Sequence, residues 1–105
     1  MTGQELHELI VKKWGYSYDV QLKRIKGRIY LQVMWRYLEQ TSFPLSEIEY
    51  LEHLNAIATY LREWNTFDQF QSFLVNTRER PRLGKAVSIP LELGDRASEW
   101  ILDDS

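Results

Sequence analysis

The stretch Val20-Gln21-Leu22-Lys23-Arg24-Ile25-Lys26-Gly27-Arg28-Ile29-Tyr30-Leu31-Gln32-Val33 decides the fold. Reading Lys26-Gly27 as a two-residue turn sets Leu22 opposite Leu31 and Val20 opposite Val33, with Ile29 on the same side beside Arg24. One register thus gathers Val20, Leu22, Ile29, Leu31 and Val33 on one face, and a slip of one residue scatters them. The opposite face then carries Gln21, Lys23, Ile25, Arg28, Tyr30 and Gln32. Lys-Gly is a weaker turn signal than Asn-Gly, so a longer loop also fits the pattern.

Outward from the hairpin, helices alternate with one more strand. Thr2 and Glu5 have the spacing of a capping box, and Leu6, Leu9, Ile10, Lys13 and Trp14 follow helical spacing up to Gly15, which predicts a helix over 3–14. Ser46 and Glu49 form a second capping box after Phe43-Pro44. They open a helix over about 47–64 with a core stripe of Ile48, Leu51, Leu54, Ala58 and Leu61, widened by Ile57 and Trp64. Thr66 with Gln69 signals a third cap, for a short helix carrying Phe67, Phe70, Phe73 and Leu74. Val87, Ile89 and Leu91 alternate as a third strand, and Pro90 confines that strand to a sheet edge. Asp95 caps a last short helix with Ala97, Trp100 and Ile101. The expected fold is α+β: a small antiparallel sheet of about three strands with helices packed on one face.

Composition agrees with one folded domain spanning residues 1–105. The chain is 44% hydrophobic and 27% charged, with a formal net charge of -2, so it exerts no global pull on nucleic acid or membrane. No apolar run approaches the roughly 18 residues of a membrane span. Met1-Thr2-Gly3-Gln4-Glu5 is polar and acidic, unlike a signal or transit peptide, and a cytoplasmic location is expected. Without cysteine there is no thiol nucleophile, disulfide or Cys-based metal site.

Catalytic chemistry finds little support. His7 and His53 are the only histidines, and neither has a partner at metal-ligand spacing, so no structural metal or cofactor is expected. His53 reads as a half-buried histidine satisfied by a neighbour. Glu47, Glu49 and Glu52 open a helix, where the macrodipole accounts for them. Gly84-Lys85 lacks the upstream glycine of a nucleotide-binding loop.

Two basic clusters stand out. Arg78-Glu79-Arg80-Pro81-Arg82-Leu83-Gly84-Lys85 follows a helix on a proline-stiffened loop, and arginines so placed present guanidinium forks to carboxylate or phosphate. The same residues also read as a solvated turn with one arginine tied to a helix C-terminus. The second cluster is the outward hairpin face, where Lys23, Arg28 and Tyr30 resemble a thin single-strand nucleic-acid platform. If the third strand begins beside Lys26-Gly27 the clusters merge. If it begins near Met34 they sit at opposite ends, which two returning helices mildly favour. Tyr16, Tyr18, Trp35, Tyr37 and Phe43 flank element ends, where aromatics either anchor an interface or act as packing lids.

Several stretches resemble a family of small cyanobacterial and plant-plastid proteins, domain of unknown function 3067. They include Tyr18-Asp19-Val20-Gln21-Leu22, Leu31-Gln32-Val33-Met34-Trp35, Phe43-Pro44-Leu45-Ser46, Thr77-Arg78-Glu79-Arg80-Pro81-Arg82-Leu83-Gly84-Lys85 and Ala97-Ser98-Glu99-Trp100. The resemblance spans nearly the whole chain. It implies an oxygenic photosynthetic organism, with a plastid location in plant relatives, and it implies no activity or functional residue. The expected function is that of a non-enzymatic interaction protein. Arg78, Arg80, Arg82 and Lys85, with exposed aromatics, would bind a protein or anionic partner. A nucleic-acid binder using Lys23, Arg28, Tyr30 and the basic loop is the first alternative. An enzyme or small anionic-metabolite binder with a fold-assembled site is the second.

Overall fold

The computed structural model describes residues 1–93, in the order α1 (Gly3–Trp14), β1 (Tyr18–Ile25), β2 (Arg28–Tyr37), α2 (Glu47–Glu63), α3 (Phe67–Asn76) and β3 (Val87–Leu91). The helix expected at Asp95 lies outside the described residues. The sheet runs β1-β2-β3, antiparallel throughout. The hairpin closes in the register that the apolar alternation demands: Val20 faces Val33, Leu22 faces Leu31, and Arg24 faces Ile29. Lys26 and Gly27 turn it with φ of 51° and 80°, the left-handed pair that matches strand twist and that glycine adopts without steric cost.

Across the other side of β2, Val33 faces Val87, Leu31 faces Ile89 and Ile29 faces Leu91. These residues are buried, and they meet Leu6 and Ile10 of α1, Tyr50, Leu54, Ile57 and Leu61 of α2, and Phe70 and Leu74 of α3 in one core. The helices thus cover one face of the sheet. Gly3 lets α1 approach α2 closely: its N–H donates to Asn55 Oδ1 at 2.7 Å, and a Cβ at Gly3 would lie 2.5 Å from that same side chain and from the Asn55 backbone nitrogen.

The edge of β1 is occupied by side chains at its first residues. Tyr50 Oη donates to the Tyr18 carbonyl at 2.8 Å, His53 Nε2 meets the Val20 carbonyl at 2.5 Å, and Asp19 Oδ1 accepts the Val20 N–H at 3.0 Å. Such occupied backbone groups are unavailable to a second chain. β3 is the other edge, where Pro90 is tolerated.

Two local expectations are corrected. Ile48 is 71% exposed and does not join the core stripe of α2; Tyr50 takes the place, with its ring buried and its hydroxyl satisfied. Two residues turn a helix by about 200°, so burying Tyr50 sends Ile48 outward. Thr66 does not cap α3 through its side chain. Its backbone is not extended, and its buried hydroxyl turns back to the Leu61 carbonyl at 3.4 Å, helping to close the end of α2 instead. The capping boxes at Thr2 and Ser46 form as expected.

Candidate functional site

β3 begins opposite Val33, far from the Lys26-Gly27 turn. The two basic clusters therefore lie at opposite ends of the sheet. Lys23, Arg28 and Tyr30 stay on the outer face near the hairpin tip, where Lys23 faces Tyr30 and Tyr30 faces Pro90. Farther along that face, Gln21 Nε2 donates to Gln32 Oε1 at 3.1 Å, and Gln32 Nε2 donates to Ser88 Oγ at 3.1 Å. The outer face thus carries one half-buried aromatic beside a polar amide ladder.

Arg78, Arg80, Arg82 and Lys85 gather at the other end, on a loop with a defined shape. Thr77 leaves α3 in extended conformation, and its Oγ1 accepts the Glu79 N–H at 3.1 Å. Lys13 Nζ of α1 donates to the Thr77 carbonyl at 2.8 Å, and Trp14 Nε1 donates to the Glu79 carbonyl at 3.0 Å. Pro81 is buried. Beyond it the Arg82 N–H donates to the Lys85 carbonyl at 3.0 Å and the Lys85 N–H returns to the Arg82 carbonyl at 2.7 Å. Gly84, with φ of 80°, closes this turn. Leu83 at its tip is 91% exposed.

The backbone is pinned while the charges are left over. Arg78, Arg80, Arg82 and Lys85 are all exposed, and no carboxylate among the described residues pairs with any of them. Glu79, Arg80, Arg82, Lys85, Ala86 and Val87 line a cavity of about 90 Å³. Arg78 stands outside that lining.

The expected aromatics divide. Tyr18 is buried, Trp35, Tyr37 and Phe43 are half-buried, and Tyr16 alone of the five is exposed, at 43%. Trp14, Tyr16, Tyr18 and Tyr37 form a mutually packed cluster, with Tyr16 and Tyr37 rings 4.6 Å apart and Trp14 edge-on to Tyr18 at 6.2 Å. Because Trp14 also holds Glu79, this cluster stands beside the basic loop.

A polar chain at the same end has no signature in the sequence. Ser17 Oγ donates to Glu39 Oε2 at 2.7 Å, and Glu39 Oε1 accepts the Ser17 N–H at 3.0 Å. His7 Nε2 lies 2.7 Å from the same Ser17 oxygen. With its proton committed to the carboxylate, Ser17 accepts from His7 and is tied down rather than activated as a nucleophile. Desolvation pushes the Glu39 carboxyl up, yet the two Ser17 bonds, the Glu39 backbone N–H and nearby His7 together outweigh it and hold Glu39 below its ordinary value. Asp19 goes the other way. Burial raises it, and the nearby His53 and Arg36 only partly offset that. Tyr50 is pushed upward by burial, with Asp19 and Glu39 adding to the shift.

Among the described residues no helix is long and apolar enough to cross a membrane. No curated protein matches the chain. A solved structure does: the solution NMR structure of the Alr2454 protein from the cyanobacterium Nostoc sp. strain PCC 7120, at 62% identity and a TM-score of 0.87, covering 98% of this chain and all of that one. The family model described as domain of unknown function DUF3067 matches residues 4–101, and the chain belongs to that family.

Proposed function

We propose that the chain is a non-enzymatic interaction protein of oxygenic photosynthetic cells, working in the cyanobacterial cytoplasm and in the plastid of plant relatives. Its loop of residues 78–85 captures acidic groups on a partner protein, with Tyr16 and Leu83 as apolar contacts alongside. One observation carries this reading: a backbone fixed by α1 holds four surface cations that no carboxylate among the described residues neutralises. Exposed ion pairs stabilise a fold by only about 0–1 kcal/mol, so stability alone gives little reason to concentrate three arginines here. A turn that is already ordered loses little further entropy on binding. Arginine suits bidentate capture of carboxylate or phosphate better than lysine does.

The test is the triple variant Arg78→Gln, Arg80→Gln, Arg82→Gln, expressed with an affinity tag in cyanobacterial cells. Its melting temperature should stay within a few degrees of wild type while co-purifying proteins are lost. Unfolding of the variant would make the arginines structural clamps, and undiminished capture by a folded variant would equally overturn the proposal.

A further inference from the structure

The cavity among Glu79, Arg80, Arg82, Lys85, Ala86 and Val87 belongs to the loop just proposed as the binding element, and its chemistry names the group bound. We infer that it takes a phosphate monoester. Three cations and one carboxylate line it, an excess of two positive charges. A phosphate monoester carries about -1.5 to -2 at neutral pH, whereas a carboxylate carries one charge. A single guanidinium fork satisfies both oxygens of a carboxylate, which leaves the other two cations without work. A phosphoryl group has three free acceptor oxygens, enough to engage Arg80, Arg82 and Lys85 together. Size agrees as well. A water needs roughly 10–15 Å³ of such space, so about 90 Å³ accommodates several waters or one compact tetrahedral group, with the body that carries the group lying outside.

The walls are also preset. Arg82 and Lys85 are fixed relative to each other by their paired backbone hydrogen bonds, and Glu79 is held through its carbonyl by Trp14. Lys13 and Thr77 anchor the entry to the loop from α1. The ligand finds the backbone of its site already in place, and only the long side chains must be ordered.

The experiment titrates the isotope-labelled chain, followed by two-dimensional amide NMR at constant ionic strength. The probes are inorganic phosphate, acetate, glycerol phosphate and a short phosphoserine peptide. The first and the last two should produce saturable shifts centred on residues 79–87, and acetate should produce none. Hydrogen bonds to charged groups are stronger than neutral ones, so Arg80→Gln combined with Arg82→Gln should weaken phosphate at least about tenfold, with amide positions outside the loop unchanged. Tighter binding of the peptide than of glycerol phosphate would place the phosphoryl group on a partner protein; equal binding would place it on a small molecule.

Acetate saturating as well as phosphate, or neither saturating, overturns the inference even if the triple glutamine variant still loses its captured proteins. Saturable phosphate binding beside undiminished capture by that variant would uphold the cavity and overturn the protein-partner reading. The wild-type titration needs no variant to fold.

Discussion

At the Lys26-Gly27 end of the sheet, Ile29 lies between Arg24 and Leu91 with its side chain buried, while Lys23, Arg24, Lys26 and Arg28 stay exposed around it. At the opposite end, Ser17, Glu39 and His7 form a hydrogen-bonded chain, Trp14 and Lys13 hold the carbonyls of Glu79 and Thr77, and four aromatic rings pack together. The tip end is held by apolar pairing along a regular ladder. The far end is held by specific polar contacts between segments distant in the chain. Apolar burial is non-directional and fills whatever shape packs well. Hydrogen bonds are directional and fix the shape of a loop that has almost no core of its own. A loop meant to present charge is suited to the second kind of support, because its side chains remain free for a ligand.

The sharpest break in this comparison is Ile29→Ala. Ile29 is 5% exposed between two strands, and deleting its buried methyl and methylene groups should cost about 2–5 kcal/mol in denaturant unfolding. A loss below about 1 kcal/mol would mean that the tip end does not depend on its apolar pairing. At the far end, Trp14→Phe keeps an aromatic ring against Tyr18 but removes the hydrogen bond to Glu79. That should cost only about 0.5–1.5 kcal/mol globally. Its effect should concentrate in the loop, as faster hydrogen exchange at the Lys85 amide, which bonds to the Arg82 carbonyl. Unchanged exchange there would show that the loop holds its shape without α1.

The same difference decides what the sequence makes legible. Val20, Leu22, Ile29, Leu31 and Val33 repeat with the period of a strand, so their spacing alone specifies both the hairpin and its register. The caps at Thr2 and Ser46 are equally local, since each bonds a residue three positions on. Ile48 misleads because hydropathy ranks it above Tyr50, while the fold supplies Tyr50 with a carbonyl acceptor 32 residues away. The arginines of the loop are visible as a cluster. Their support is not, because Trp14 and Glu79 are 65 positions apart and Lys13 and Thr77 are 64 apart. The Ser17–Glu39–His7 chain is hidden for the same reason: single polar residues at unrelated spacings form no period. Tyr18 and Tyr37 read equally as interface anchors or packing lids, and spacing could not choose, because the irregular pairing between Tyr18 and Val20 that brings those two strand ends face to face is not local.

The smallest expected effect probes the polar chain by pH. Glu39 has its folded value held below the ordinary 4.5 by the Ser17 bonds, so in the acid window the unfolded chain binds more protons than the native one. Its stabilising contribution is full above the unfolded value and is lost as pH falls through the lowered folded one. Asp19 has the opposite sign: burial raises it above 3.8, the native state holds its proton more tightly, and stability falls as pH rises through that window. The two contributions therefore oppose each other between about pH 3 and 5, where unperturbed carboxyls titrate. Glu39 is exposed enough for solvent to screen its share, which places this effect below the other two. Urea unfolding followed across that range should show Glu39→Gln flattening the rise of stability with pH, and Asp19→Asn steepening it. If Glu39→Gln keeps the full wild-type slope, the Ser17 tie contributes nothing to the far end. The Trp14 and Lys13 contacts, with the aromatic cluster, would then have to hold it without that help.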